Sequence, residues 1–404
     1  MRAIGRRAVL AGAVAAPLAA PVRLQARGDR LRIGEVNSHG QHAGFLDAYR
    51  KGWTLAEDTL NARGGVLGAR METLFRDDSG RPEEAARQAR LLVQEEGVAL
   101  LAGGFLSHIG LALSEAAEQS RRVYLASEPL TDALVWSRGN RFTFRLRPNT
   151  YMQASMLAEE AAKLPATRWT TVAPNYEYGQ SAVRHFRERL RRARPEVQFV
   201  GGQYPALGRF DDAVVPALAA TEAEAVFNAC FGEDLAALVR NGQAVGLFEG
   251  RSVVSLLTGE PEYLDPLGEA APEGWIVTGY PEPQLRNPVH DAFRAAYLDR
   301  WGEAPRCGSV IGHDTVTVIA ATLEKAGGTE TEALIAALSG LRYDTAFGTG
   351  TVEFRAIDHQ ATLGTFVGRT AVQDRRGLMV DWRYADGANH LPPDDVVRSL
   401  RPHG

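Results

Sequence analysis

The sequence predicts an α/β protein of two doubly wound, parallel-sheet lobes joined by three crossovers. Three observations carry that prediction. Short apolar runs of strand character alternate with helix-patterned segments along most of the chain, which implies parallel sheets with helices on both faces. The alternation comes in two separate series. Three extended or Gly/Pro-rich breaks interrupt it, so the chain passes between two bodies three times. At 404 residues it is long enough for two cores.

The first series opens with a strand at 31–36. A helix follows, in which Leu46, Tyr49, Trp53, Ala56 and Leu60 recur at helical spacing. The segment 61–78, NARGGVLGARMETLFRDD, ends that helix and starts the next strand. Gly64 and Gly65 can take the left-handed conformation that terminates a helix, and Gly68 permits a second tight turn before the strand-like run 71–75. Residues 98–102 are strand-like, 109–119 helical and 123–127 strand-like again. The second series has strands at 169–173, 197–201, 225–229 and 252–256, with helices at 180–192 and 234–244.

The first break is Arg145-Leu146-Arg147-Pro148-Asn149, where Pro148 holds its predecessor extended. The second is Gly279-Tyr280-Pro281-Glu282-Pro283, after a strand at 275–278. Helices at 288–301, 309–326 and 330–338 follow, and Gly348-Thr349-Gly350 marks the third break. The stretch 351–387 alternates strand-like pieces with turns, Asp386-Gly387 being a tight-turn signal. These breaks divide the chain into lobe I, residues 30–147 with 281–346, and lobe II, residues 148–280 with 347–404.

Hydrophobic content of 45% and charged content of 23% are ordinary for a soluble globular protein. A net charge of -4 argues against nucleic acid as a partner. The arginine run Arg184, Arg187, Arg189, Arg191, Arg192 and Arg194, interrupted by Glu188, reads as a solvated helix face. Residues 1–29 read as an export signal and short linker. Arg2, Arg6 and Arg7 precede the Ala-rich run 8–20, and Leu24-Gln25-Ala26 offers a small-residue cleavage site. The paired arginines are of the twin-arginine type, with Sec export and an uncleaved anchor as alternatives. In an oxidising compartment cysteines could pair, but disulfide geometry is strict, and Cys230 and Cys307 are expected as free, buried thiols. His39 and His42 without a third ligand are a weak zinc signal, so neither metal nor cofactor is expected.

The segment 61–78, the run Pro174-Asn175-Tyr176-Glu177-Tyr178-Gly179 after a strand, and the closing Trp382-Arg383-Tyr384-Ala385-Asp386-Gly387 carry a resemblance. The chain resembles, from about residue 31 to 388, the periplasmic type I solute-binding proteins of the branched-chain amino acid transport class. The resemblance implies a monomeric, periplasmic binding protein rather than an enzyme. It would hold a small molecule between its lobes and present it to the permease and ATPase of an ABC importer. Loops at the carboxyl ends of the strands would touch the ligand, as is general for open parallel sheets. By position, the resemblance places Phe45 over the ligand and Phe105 and Ser107 after the third strand. Ser107 would bond a ligand carboxylate with help from helix N-terminal amides. Tyr178 matches a tyrosine that packs over the ligand on closure, and Phe231 an aromatic near its ammonium group.

Two stretches depart from the family pattern. Ser127-Glu128-Pro129-Leu130-Thr131 puts the negative Glu128 where relatives accommodate a carboxylate. In Leu256-Leu257-Thr258-Gly259-Glu260, Leu257 takes the place of the usual acid, with Glu260 a displaced substitute. The departures imply a less polar, aromatic ligand, or one whose hydroxyl or amine donates to Glu128. Plain alternatives stand beside these readings: Ser107 as an N-cap, Phe105 and Phe231 as core, Glu128 as a solvated loop carboxylate. Among functions, no Gly-x-Ser-x-Gly elbow or phosphate-cradling loop supports an enzyme. A ligand sensor of the same fold, feeding a regulator or kinase, is the other reading.

Overall fold

The computed structural model describes residues 30–401, and the export signal read at 1–29 lies outside them. The first sheet contains β1 (Arg30–Asn37), β2 (Arg70–Asp77), β3 (Leu101–Gly103), β4 (Tyr124–Ala126) and β5 (Thr143–Arg145), all parallel, in the order β2-β1-β3-β4-β5. Helices α1 (Ala43–Ala62), α2 (Pro82–Gln94) and α3 (Ser107–Gln119) connect them. The turn between α1 and β2 forms as its glycines require. Gly64, Gly65 and Gly68 all have positive φ, and a Cβ on Gly65 would lie 2.0 Å from the Ala69 carbonyl oxygen.

The second sheet begins after α4 (Thr150–Ala161). Its parallel part comprises β6 (Arg168–Val172), β7 (Gln198–Phe199), β8 (Ala225–Asn228), β9 (Ser252–Gly259) and β10 (Ile276–Gly279). They are linked by α5 (Glu177–Ala193), α6 (Val214–Ala219), α7 (Gly232–Ala244) and α8 (Pro261–Leu264). The chain then returns to the first lobe through α9 (Pro288–Trp301), α10 (Cys307–Ala326) and α11 (Thr331–Leu338). The hairpin strands β11 (Arg342–Asp344) and β12 (Thr351–Glu353) follow. Residues just beyond β12 stay beside the first sheet: Gln360 bridges to Arg145, and the His359 ring stacks on Phe144 at 3.8 Å between centroids.

The last strands, β13 (Thr365–Gln373) and β14 (Arg376–Ala385), precede α12 (Asp394–Leu400). They extend the second sheet antiparallel, giving the order β14-β13-β10-β9-β8-β6-β7. This lobe is therefore mixed rather than wholly parallel. β13 arrives from the other lobe, not through a βα unit, and a tight hairpin to β14 can only be antiparallel. The hairpin turn is Asp374-Arg375, with φ of 47° and 64°. Asp386-Gly387, the turn signal in the sequence, instead opens a short 3-10 turn in which Asp386 accepts from the Ala388 N–H.

Three helices begin earlier than their apolar periodicity suggests. α3 starts at Ser107, α5 at Glu177 and α7 at Gly232. Their N-cap residues are Leu106, Tyr176 and Phe231, none with a capping side chain, so the usual polar start signal is missing. Each first turn follows the carboxyl end of a strand.

α1 and α10 cross with their backbones in contact. A Cβ on Gly52 would lie 1.8 Å from the Ser309 carbonyl oxygen, and one on Gly312 would lie 2.0 Å from that of Tyr49. A Cβ on Gly308 would press on Phe45, 2.8 Å from its carbonyl oxygen and 3.1 Å from its ring. This close approach seats Phe45. Gly312→Ala is expected to overpack the crossing and destabilise the fold by about 1–3 kcal/mol, read as a lower midpoint in urea denaturation. An unchanged midpoint would contradict the contact.

Candidate interlobe binding cleft

The first turns of α3, α5 and α7 and the loops beyond β4 and β9 enclose one cavity between the sheets. Phe105, Ser107, Glu128, Tyr178 and Phe231, five of the six residues singled out in the sequence, line it together with Leu130, Arg147, Tyr176, Leu257 and Tyr263. Phe45 stands at its edge, with its ring 5.1 Å from that of Phe105 and 5.5 Å from the Arg147 guanidinium. The free volume is about 20 Å³, room for little more than a water. A larger hollow of about 280 Å³ lies nearby, lined by Asp265, Arg306 and Arg376 among others. Its charges are already paired, Asp265 meeting both arginines at 3.2 Å.

Aromatic rings cluster in the cleft, and Phe105 with Phe231 spans the lobes. Phe105 meets Phe231 edge to face at 6.1 Å, Tyr178 meets Phe231 at 5.7 Å, and Tyr263 meets Phe231 at 6.2 Å. His42 packs on Phe105 at 4.9 Å, and burial pushes its pKa down to about 4, which keeps the ring neutral. His39 instead bonds Glu35 at 2.9 Å. Among the described residues, no group of three or more His, Cys, Asp or Glu is placed to hold a metal ion.

Each ring is held by its local fold. Asn37, at the end of β1, donates to Glu35 at 2.6 Å and accepts from the Phe105 N–H at 2.5 Å, which fixes the loop after β3. Ser107 does not cap its helix. It is the first helical residue, and its hydroxyl accepts from the Thr131 N–H at 3.1 Å, tying the loop after β4 to α3. Leu257 sits in a bulge near the end of β9 with φ of 67°, a conformation uncommon for leucine. Thr278 supports it by accepting from its N–H at 2.9 Å.

The electrostatic centre was not singled out in the sequence. Arg147, read there only as part of the first crossover, is buried between two glutamates. Nη1 donates to Glu128 Oε2 at 3.1 Å, and Nη2 to Glu260 Oε1 at 2.5 Å. Glu128 comes from lobe I and Glu260 from lobe II, so the guanidinium ties the lobes at the crossover. Glu128 is fully buried rather than solvated. Burial pushes its carboxyl up to about 7 against the pull of Arg147. Burial also raises Glu260, and it lifts Glu262 to about 8 with help from the neighbouring Glu260 charge. Burial alone would weaken the Arg147 charge, but Glu260 and Glu128 more than offset that. An arginine beside proline in an extended segment was the only sequence signal. Tyr263 had none beyond its place in the short helix α8 that follows β9.

At the rim, the loop after β4 grips the start of α5. Thr131 donates to Glu177 at 2.8 Å, while Asp132 accepts from Ser181 at 2.5 Å and meets Arg184 at 2.9 Å and His185 at 3.0 Å. Burial favours protonation of Asp132, yet these partners hold it well below the usual carboxylate range. Arg184 thus has an interlobe partner. Arg187 and Arg191 lie over Phe199, and Arg189 over Tyr151, so the arginine face stacks on rings as well as meeting solvent. Cys230 and Cys307 are buried and unpaired.

A family model described as periplasmic binding protein matches residues 36–375. The chain belongs to the periplasmic binding protein family. The Leu/Ile/Val-binding protein homolog 7 of Brucella abortus (strain 2308) is 26% identical over 324 residues, covering 75% of this chain and 80% of its own. Among solved structures, a solute-binding protein of an ABC transporter from Rhodopseudomonas palustris BisB5, in complex with 3,4-dihydroxybenzoic acid, superposes with a TM-score of 0.80 at 19% identity. It covers 89% of this chain and 98% of that one. A branched-chain amino acid transporter substrate-binding protein from Streptococcus pneumoniae, in complex with isoleucine, gives 0.76 at 18% identity, covering 88% and 99%. These superpositions make the fold a type I periplasmic binding fold of two α/β lobes.

Two outcomes follow from the buried acids. Arg147→Met strands two carboxylates and is expected to cost about 3–5 kcal/mol near pH 8. Adding Glu128→Gln and Glu260→Gln to that variant should recover most of the loss in urea denaturation. The second outcome concerns pH. Glu128 and Glu262 titrate near 7 and 8 when folded but at an ordinary 4.5 when unfolded. Between pH 8 and 6.5 the native state therefore takes up more protons, and stability rises as pH falls. From the lower half of that window downward His42, His290 and His359, each pushed from an ordinary 6.5 to about 4 by burial, oppose the trend, because the unfolded chain takes up those protons first. The two glutamates outweigh them down to about pH 6.5, so the Tm should be higher at pH 6.5 than at pH 8, and the slope should be lost or reversed in a Glu128→Gln/Glu262→Gln variant.

Proposed function

We propose that this chain is the exported, monomeric solute-binding component of an ABC importer. It binds a small organic ligand with an aromatic or apolar body between its lobes and presents the closed form to a membrane permease and ATPase. The observation that carries this reading is the ring cluster in the cleft, where Phe105 of one lobe meets Phe231 of the other and Tyr178 and Tyr263 pack on Phe231 from its own lobe. A ligand seated there would touch both lobes and favour their closed arrangement. The rim contacts of Asp132 and Thr131 with α5 support it, since they form only when the lobes meet. The free volume of the cleft is small, so admission of a ring-sized ligand requires the lobes to part about the three crossovers.

The relatives suggest where to search. Their printed names include leucine, isoleucine and valine binders, and the similar structures include one with a dihydroxybenzoic acid. Catalysis plays no part in this reading. A thermal-shift screen of amino acids, aromatic acids, amides, amines and short alcohols tests it. A true ligand at a hundredfold excess over its Kd should add about 2.7 kcal/mol of stability. Ser107→Ala and Tyr178→Ala are each expected to weaken that ligand by about tenfold or more; both should lower the Tm of the free protein, Tyr178→Ala more because its buried ring leaves a cavity, without abolishing the folded state. Wild-type affinity in both variants would refute the cleft assignment.

A further inference from the structure

The polar lining of the cleft is lopsided. Glu128 is 1% exposed and spends Oε2 on Arg147, while its Oε1 has no partner. Tyr178 Oη, in the same cavity, also lacks a partner. Behind them Glu260 leaves Oε2 unpartnered. Each terminal nitrogen of Arg147 donates to one of the two glutamates, so its single charge is shared between them. With both acids ionised, two carboxylates face one guanidinium, and an uncompensated buried charge is costly. The remaining walls are largely ring surface, and ring faces attract cations.

Resting on the cleft reading above, we propose that the site selects an aromatic ligand bearing a protonated amine. The ammonium group donates to Glu128 Oε1, and the ring packs among Phe105, Tyr178, Phe231 and Tyr263. The amine supplies the positive charge that the second carboxylate lacks. Aromatic carboxylates are discriminated against, because their anion would face Glu128 while the single charge of Arg147 is already shared by two carboxylates. Without such a cation, Glu128 balances the site by holding a proton up to about pH 7. A bound ammonium takes that proton's place.

Isothermal titration of the mature protein with three matched probes tests this: 2-phenylethylamine, 2-phenylethanol and 3-phenylpropanoate. At pH 8 the amine should bind at least about tenfold more tightly than the alcohol, and the carboxylate most weakly, as expected for a charge-assisted bond. Glu128→Gln should erase the amine's advantage and leave the alcohol within about twofold, because only the charged bond is lost. Should that variant fold poorly, Glu260→Gln reduces the same negative charge, and the wild-type pH profile is independent of both. From pH 6 to 8 the ionised share of Glu128 grows from about one tenth to about nine tenths, so amine affinity should rise about tenfold. The charged or titratable groups facing Glu128 are Arg147, Glu260, Glu35, Tyr49, Tyr124 and Cys307. Of these, Arg147 stays charged and the tyrosines and cysteine stay neutral across that range.

Equal or tighter binding of the alcohol or carboxylate, a reversed pH slope, or binding of none of the three overturns the amine preference. Tyr178→Ala separates that failure from failure of the cleft reading. If 3-phenylpropanoate binds best and Tyr178→Ala abolishes it, the cleft stands and only the amine preference falls. If the tightest probe binds Tyr178→Ala and Ser107→Ala as it does wild type, both fall.

Discussion

Two buried carboxylates from opposite lobes, Glu128 and Glu260, converge on the single guanidinium of Arg147, at the point where the chain first crosses between lobes. Much of the cleft depends on that convergence. Arg147 also lies beside the Phe45 ring, and Cys307, which opens α10, is 4.0 Å from Nη2. Arg145, two residues earlier on the same extended segment, is buried too, donating to Gln360 at 2.7 Å and to the Thr131 carbonyl. Two arginines in a dry crossover need nearby acceptors, and all but Nη2 of Arg145 among their terminal nitrogens find one. The loops after β4, β9 and β12 supply them, and the crossover thereby fixes those loops.

That electrostatic frame explains why the rim and the floor of the cleft behave differently. At the rim, Asp132 has Ser181, Arg184 and His185 around it and stays ionised. On the floor, Glu128 shares its only cation with Glu260 and is held near neutrality. Acids of the same charge thus take opposite roles according to how many donors the fold sets beside them. The rim acid fastens the closed form, while the floor acid keeps an oxygen in reserve.

The scaffold is that of the periplasmic binding protein family. Ser107, Tyr178, Leu257 and Glu128 all line the cleft. Both lobes contribute a buried acid to its floor, Glu128 from one and Glu260 from the other, and what the ligand presents must suit that pair.

The alternation of strands and helices and the glycine turn were determined by the sequence alone. They rest on local rules: apolar period and left-handed glycines. Phe105, Ser107, Glu128, Tyr178 and Phe231, which the resemblance pointed to at the ends of strands, line one cavity. What local rules could not decide was long-range. The antiparallel β13–β14 pair depends on which sheet receives the chain after its last excursion, and its turn uses Asp374-Arg375 without a glycine. The burial of Glu128 depends on Arg147, 19 residues away, and that of Arg147 on Glu260, a further 113. Only the tertiary structure could bring those three charges together, because each is tolerable in the interior only in the presence of the others.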